Sequence, residues 1–251
     1  MNKDNKPIIG IVGKPALKPG SMWHTLKIVD DFRYSIIKNG GLPIGVLPTV
    51  NALVTGYEDE HQYPYLDQEL TKQQKTDLYI VLDMCDGLIL QGGWQNDYYE
   101  VEVAKYAIEK NMPIIGCCAG FNNLAFALGG NVRRHKTEEH NIYKPGGVHE
   151  IKIEKESKLY DIFQKEIVSV NSIHKFVATD ADIKSAKITA HSEDGLVEAF
   201  EMENKKFIMG IKWHPELMID IDSKMNDLFI EFINACKNQA HKEAGKNNHL
   251  H

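Results

Sequence analysis

The sequence predicts an α/β fold: a doubly wound, mostly parallel sheet flanked by helices, with extra short antiparallel strands. Two observations carry this. Four short runs are apolar almost throughout: PIIGIV (7–12), LPIGVLP (42–48), DGLILQGG (86–93) and MPIIGCC (112–118). Runs of that length, ended by Gly or Pro, suit strands buried on both faces of a parallel sheet. Amphipathic stretches of helical length lie between them, at 26–39, 97–110 and 119–128. Strand alternating with helix implies right-handed crossovers.

Each element has its own punctuation. Residues 26–39 run into Gly40-Gly41 and residues 119–128 into Gly129-Gly130, both good helix stops. The second half changes character. HEIKIE (149–154), EIVSVNSIH (166–174), AKITAHS (186–192), LVEAFE (196–201) and KFIMGIKWH (206–214) read as shorter strands joined by turns. A last helix is expected over 222–237, with a polar, fraying tail after it. Residues 51–77 are polar and aromatic, with helical signal only near the end, and read as an excursion from the sheet, a lid in one reading.

A chain of 251 residues, 43% of them hydrophobic, can bury one large core. One domain over 1–240 with a polar tail at 241–251 is the economical division. The net charge of -6, without a long basic run, argues against nucleic-acid or anionic-membrane partners. No stretch has the length of a signal peptide or a membrane span, so a cytoplasmic location is expected. The four cysteines, Cys85, Cys117, Cys118 and Cys236, fit neither a zinc spacing nor a disulfide framework. Cys85 and Cys236 read as small buried hydrophobes.

The sharpest chemical signal is Gly116-Cys117-Cys118-Ala119-Gly120, between a strand and a helix. This G-x-C-x-G pattern is the thiol counterpart of the nucleophile elbow, with Cys118 at the exposed centre and Cys117 facing the interior. A helix N-terminus there favours thiolate over thiol. An inert Cys in a Gly-rich turn is the competing reading. Two more strand ends point the same way. Gly92-Gly93 follows an apolar strand, and the backbone of Gly93 and Ala119 could supply two oxyanion donors. His214 follows the last strand, with Glu216 two residues on, on the same side of an extended segment. Glu216 could hold His214 while His214 deprotonates Cys118. In open α/β sheets, ligands gather at such strand ends.

Taken together, KPIIGIV, GGLPIGVLP, DGLILQGG, PIIGCCAGFNNLAFALGG, VNSIHK, GLVEAFE and GIKWHPE span almost the whole chain. The set resembles the class I glutamine amidotransferases, in particular their gamma-glutamyl-gamma-aminobutyrate hydrolase branch. The resemblance implies a flavodoxin-like fold of the class I glutamine amidotransferase type. It puts the nucleophile at Cys118, the catalytic His and acid at His214 and Glu216, and the oxyanion donors on Gly93 and Ala119. Asn171, Ser172 and His174 fall on the segment that borders the active site. The sequence departs from the family's usual pattern at Ala119, Asn122, Arg134-His135 and Lys175-Phe176. Those departures bear on the substrate, and Arg134 or Lys175 is a candidate partner for its alpha-carboxylate.

The implied reaction is hydrolysis of a gamma-glutamyl amide, gamma-glutamyl-GABA or a related amine, through a thioester, with a place in polyamine catabolism. The alternatives are a glutaminase that passes ammonia to a synthetase partner, a silent binding protein on the same scaffold, and another Cys-elbow α/β hydrolase. The absence of a fused synthetase favours the first. No metal or organic cofactor is expected; His135, His140 and His149 form no recognised ligand pattern and read as surface or structural residues. The expected partner is the small-molecule substrate, and homodimerisation is left open.

Overall fold

The computed structural model describes residues 6–16, 25–49, 69–93, 98–135, 140 and 147–247, the side chains of 15, 16 and 238–247 excepted. In chain order the elements are β1 (Ile8–Val12), β2 (Lys14–Ala16), β3 (Thr25–Lys27), α1 (Asp30–Lys38), β4 (Leu42–Val46) and α2 (Lys72–Leu82). Then come β5 (Gly87–Leu90), α3 (Tyr98–Lys110), β6 (Ile114–Cys117), α4 (Ala119–Ala127), β7 (Arg133–Arg134) and β8 (Val148–Ile153). The chain continues through α5 (Lys158–Phe163), β9 (Ile167–Asn171), β10 (Phe176–Val177), β11 (Lys187–Ser192), β12 (Val197–Glu201), β13 (Ile208–Ile211) and α6 (Ser223–Asn247).

Among the described residues the main sheet has nine strands, in the order β4-β1-β5-β6-β13-β12-β11-β8-β9. The first five are parallel and the remaining pairings antiparallel. The continuous apolar runs form the parallel half; β1, β5 and β6 are buried on both faces, whereas β4, expected to be buried likewise, lies at the sheet edge with only Val46 fully covered. Side chains alternate across the parallel half. Ile9, Ile11, Ile89, Ile115 and Cys117 join Phe32, Trp213, Phe229 and Phe232 in one core layer. Val12, Leu88, Leu90 and Ile114 join Leu78, Leu82, Tyr106 and Phe121 in the other.

The glycine stops act as expected. Gly40 has φ +84°, and the Gly41 N–H bonds the Ile36 carbonyl at 2.9 Å. Gly129 has φ +78° and closes α4. Two helix expectations change, at the start of α1 and the end of α6, and the helical signal near the end of 51–77 is met by α2. The helix read over 26–39 starts only at Asp30, because 25–27 pairs with 14–16 as a small ribbon. Helix α2 occupies the end of the 51–77 excursion; its Thr71–Gln74 capping box fixes the start, and residues 51–68 lie outside the described residues. Helix α6 continues to Asn247, past the frayed tail read from Asn238, because the Ala, Lys, Glu and Gln of that stretch favour helix. No described helix is long and apolar enough to cross a membrane.

Candidate active site

The register decides where the chemistry lies. Leu90 of β5 pairs with Gly116 of β6, and Cys117 of β6 pairs with Ile211 of β13. Gly92-Gly93, Cys118 and His214 therefore sit just past the carboxyl ends of three adjacent parallel strands. Sequence reasoning placed them at three strand ends; the sheet order makes those ends neighbours.

Cys118 occupies a strained turn, with φ 53° and ψ -103°. A non-glycine residue held there costs roughly 1–3 kcal/mol. The surroundings enforce it. A Cβ on Gly116 would lie 2.5 Å from the Gly120 carbonyl oxygen, and one on Gly120 would lie 2.1 Å from the Leu90 oxygen. Only glycine at both positions lets strand and helix approach this closely. The Cys118 N–H donates to the Ile211 carbonyl at 2.9 Å, which ties the turn to β13. Cys117 is fully buried in the core, as its place in the elbow predicts, and burial pushes its thiol well above the ordinary range. Cys118 is half-buried, with Sγ 3.8 Å from the Ile173 carbonyl oxygen.

His214 Nδ1 lies 2.6 Å from Glu216 Oε1. The contact arises differently from the extended segment read in the sequence: residues 215–217 form one 3-10 turn, and the turn carries Glu216 back to the ring. Glu216 is buried. A Cβ on Gly92 would meet His214 Cε1 at 2.4 Å and Cys118 Cβ at 3.3 Å, so the missing side chain makes room for the ring beside the thiol. Burial opposes charge on Cys118. The His214 charge and hydrogen bond, with the charge of Lys212, outweigh it and hold the thiol below its usual range. Burial likewise opposes the imidazolium, but the Glu216 and Cys118 charges outweigh it and raise His214 well above the usual histidine range. Both directions favour a thiolate–imidazolium pair.

Of the other expected site residues, Ala119 begins α4, where the first N–H groups have no intrahelical acceptor. Gly93 lies against the stem of Lys14. Asn171 turns its amide to the main chain of His214: Nδ2 donates to the His214 carbonyl at 2.7 Å, and Oδ1 accepts the His214 N–H at 2.8 Å. Ser172 is buried and donates to the His140 carbonyl at 2.8 Å. His174 is buried and faces Glu198, with 3.5 Å between Nε2 and Oε1. These three side chains are thus engaged within the protein. Arg134 is exposed on β7 and Lys175 half-exposed beside it. The exposed Arg133 pairs with Asp182 at 2.5 Å.

Sequence reasoning missed Lys212. It is buried, donates to Asn122 Oδ1 at 2.6 Å and the Phe176 carbonyl at 2.8 Å, and lies 4.4 Å from the Phe121 ring centre. Burial pushes its ammonium down to about 8. A single Lys in the apolar run FIMGIKWH was the available signal. A buried Lys14–Glu100 pair at 2.7 Å, with Asn123 donating to Glu100 at 2.6 Å, was missed too.

The model of the Peptidase C26 family matches residues 94–216, which include Cys118, His214 and Glu216. A gamma-glutamyl-gamma-aminobutyrate hydrolase of Escherichia coli O157:H7 is 29% identical, covering 93% of this chain and 94% of its own. The chain is class I glutamine amidotransferase-like. A putative glutamine amidotransferase of Schizosaccharomyces pombe is 27% identical over 81% of this chain and 80% of its own. The class I glutamine amidotransferase fold extends to a Trypanosoma brucei CTPS glutaminase domain, with TM-score 0.62, 19% identity, and coverage of 93% of this chain and 94% of that one.

Proposed function

We propose that this chain is a cysteine hydrolase that cleaves a gamma-glutamyl amide, gamma-glutamyl-GABA or a related gamma-glutamyl amine. The observation that carries the reading is the strained Cys118 turn set beside a His214 ring that Glu216 holds at 2.6 Å. The Cys118 thiolate attacks the side-chain carbonyl carbon, and the developing oxyanion takes the N–H groups of Gly93 and Ala119. The C–N bond breaks as the His214 imidazolium gives its proton to the departing amine. A gamma-glutamyl thioester remains on Cys118. His214, now neutral, takes a proton from water; the hydroxide displaces Cys118 and releases glutamate. Glu216 keeps the ring in the tautomer with Nδ1–H. Lys212 supplies a buried positive charge behind the thiolate.

The test is a panel of gamma-glutamyl amides, glutamine included, assayed for free glutamate with the native chain and Cys118→Ala. Release by the native chain alone supports the reading. Equal release by both proteins removes Cys118 from the reaction, and no release from any amide removes the substrate class.

A further inference from the structure

His140, His149, His174 and Glu198 are far apart in sequence, yet one donor atom from each lies within 4.8 Å of all the others. They come from the turn at 140, β8, the segment after β9, and β12. The Glu198 carboxylate is fully buried and faces all three rings: 3.7 Å from His140 Nδ1, 3.7 Å from His149 Nε2 and 3.5 Å from His174 Nε2. Neither Glu198 oxygen has a hydrogen-bond partner, and neither do His140 Nδ1 and His149 Nε2. Buried polar atoms are seldom left so.

The outward ring nitrogens explain what faces inward. His140 Nε2 lies 3.0 Å from Asp194 Oδ2, and His174 Nδ1 lies 3.2 Å from the Phe176 carbonyl oxygen. Both acceptors need the proton on those nitrogens. In the neutral rings His140 Nδ1 and His174 Nε2 then turn bare lone pairs toward a carboxylate. The nearby Ser172 hydroxyl, 3.4 Å from His174 Nε2, gives its own proton to the His140 carbonyl. Two bare imidazole nitrogens and a carboxylate thus converge beside His149 Nε2, which is unfavourable unless a cation lies between them. Separations of 3.5–3.7 Å exceed an N–H···O hydrogen bond. They approach the spacing of neighbouring ligands on one tetrahedral ion, about 3.3 Å for metal–ligand bonds near 2.0–2.1 Å.

We propose that His140, His149, His174 and Glu198 form a binding site for a divalent transition-metal ion, with zinc the best fit to three imidazoles and a carboxylate. Asp194 and the Phe176 carbonyl orient the ligands from behind, as the partners of metal-bound histidines commonly do. Four protein ligands leave no open position, so the role is structural. The ion would staple β8, β12 and the 140 turn to the 171–176 segment. That segment also carries Asn171, which holds the His214 main chain, and the Ile173 carbonyl beside Cys118. The site does not depend on the proposed reaction.

The experiment is elemental analysis of untagged full-length protein, equilibrated with zinc chloride and passed through metal-free buffer. The expected content is close to one zinc per chain, falling to near zero in His149→Ala and Glu198→Gln and staying near one after Cys118 is alkylated. Asp194→Asn should weaken zinc affinity roughly 10–100-fold. Zinc-edge absorption on the native protein needs no variant to fold; it should show a nitrogen and oxygen shell without sulfur. No retained zinc, a content unchanged in folded His149→Ala and Glu198→Gln, or sulfur in the shell would each overturn the site.

Discussion

Asn171 clasps His214 by both main-chain groups, giving a hydrogen bond to its carbonyl at 2.7 Å and taking one from its N–H at 2.8 Å. The clasp joins the end of β9 to the segment that follows β13 and leaves the imidazole free to face Cys118. Asn171→Ala leaves the His214 N–H unpaired and its carbonyl with only the longer bond from the Leu217 N–H at 3.3 Å, a stability loss of roughly 1–3 kcal/mol. If the clasp positions the ring, kcat should fall about tenfold or more with KM little changed, read by steady-state kinetics beside thermal denaturation. Asn171→Asp can still accept the His214 N–H but cannot donate to the carbonyl, so it should fall between the two.

The four cysteines should separate by reactivity. Cys85, Cys117 and Cys236 are buried, and burial pushes all three thiols up, Cys85 to about 12. Cys118 alone is held down. Brief iodoacetamide treatment followed by peptide mass mapping should label Cys118 first, and Cys118→Ala should abolish that label.

Alkylation against pH tests the charges around Cys118. The reactive species is the thiolate, so the rate rises as pH climbs through the lowered Cys118 value. Removing a positive charge raises that value. Lys212→Met should therefore move the midpoint upward by about one pH unit, the order expected of one charge acting through a protein interior. Turnover needs the thiolate and the imidazolium together. It should start at the lowered Cys118 value and persist above neutrality, until His214 loses its proton well above the ordinary histidine range.

Gly92→Ala tests the space beside the ring. The new Cβ would meet His214 Cε1 at 2.4 Å, so the ring must move. A displacement near 1 Å should lower kcat about 100-fold, with the circular dichroism spectrum unchanged.

Much of this was legible because it rests on local rules. Continuous apolar runs announced the buried strands β1, β5 and β6, though the run at 42–48 became the half-exposed edge strand β4, and Gly116 and Gly120 announced the elbow around Cys118. His214 and Glu216, two residues apart, announced their own contact, though a 3-10 turn delivers it where an extended segment was expected. What stayed hidden depends on long-range placement. Lys212 reads as one charge in an apolar strand until Asn122 and the Phe176 carbonyl close around it. His140, His149 and His174 share no short spacing, and only the pairing of β8 with β9 and the packing of the 140 turn bring them to Glu198. The sequence reads His140 and His149 as surface or structural residues; the fold buries His140 and leaves His149 half-buried, both facing Glu198.

Glu216→Gln separates holding the ring from being charged. Glutamine can still accept the His214 Nδ1 proton but cannot stabilise the imidazolium. In a comparable triad, exchange of the acid for its amide costs about 10⁴-fold in kcat. A loss of at least about 100-fold is expected here, smaller than that of His214→Ala, in initial-rate assays of glutamate release.

The central claim is a gamma-glutamyl group carried on Cys118. The most direct test is rapid acid quenching of the native chain with a gamma-glutamyl amide, followed by peptide mass mapping. A mass increase of one glutamyl residue on the Cys118 peptide, absent in Cys118→Ala and removed by hydroxylamine, is the predicted result. Glutamate release with the adduct on another residue, or undiminished release by Cys118→Ala, would contradict it.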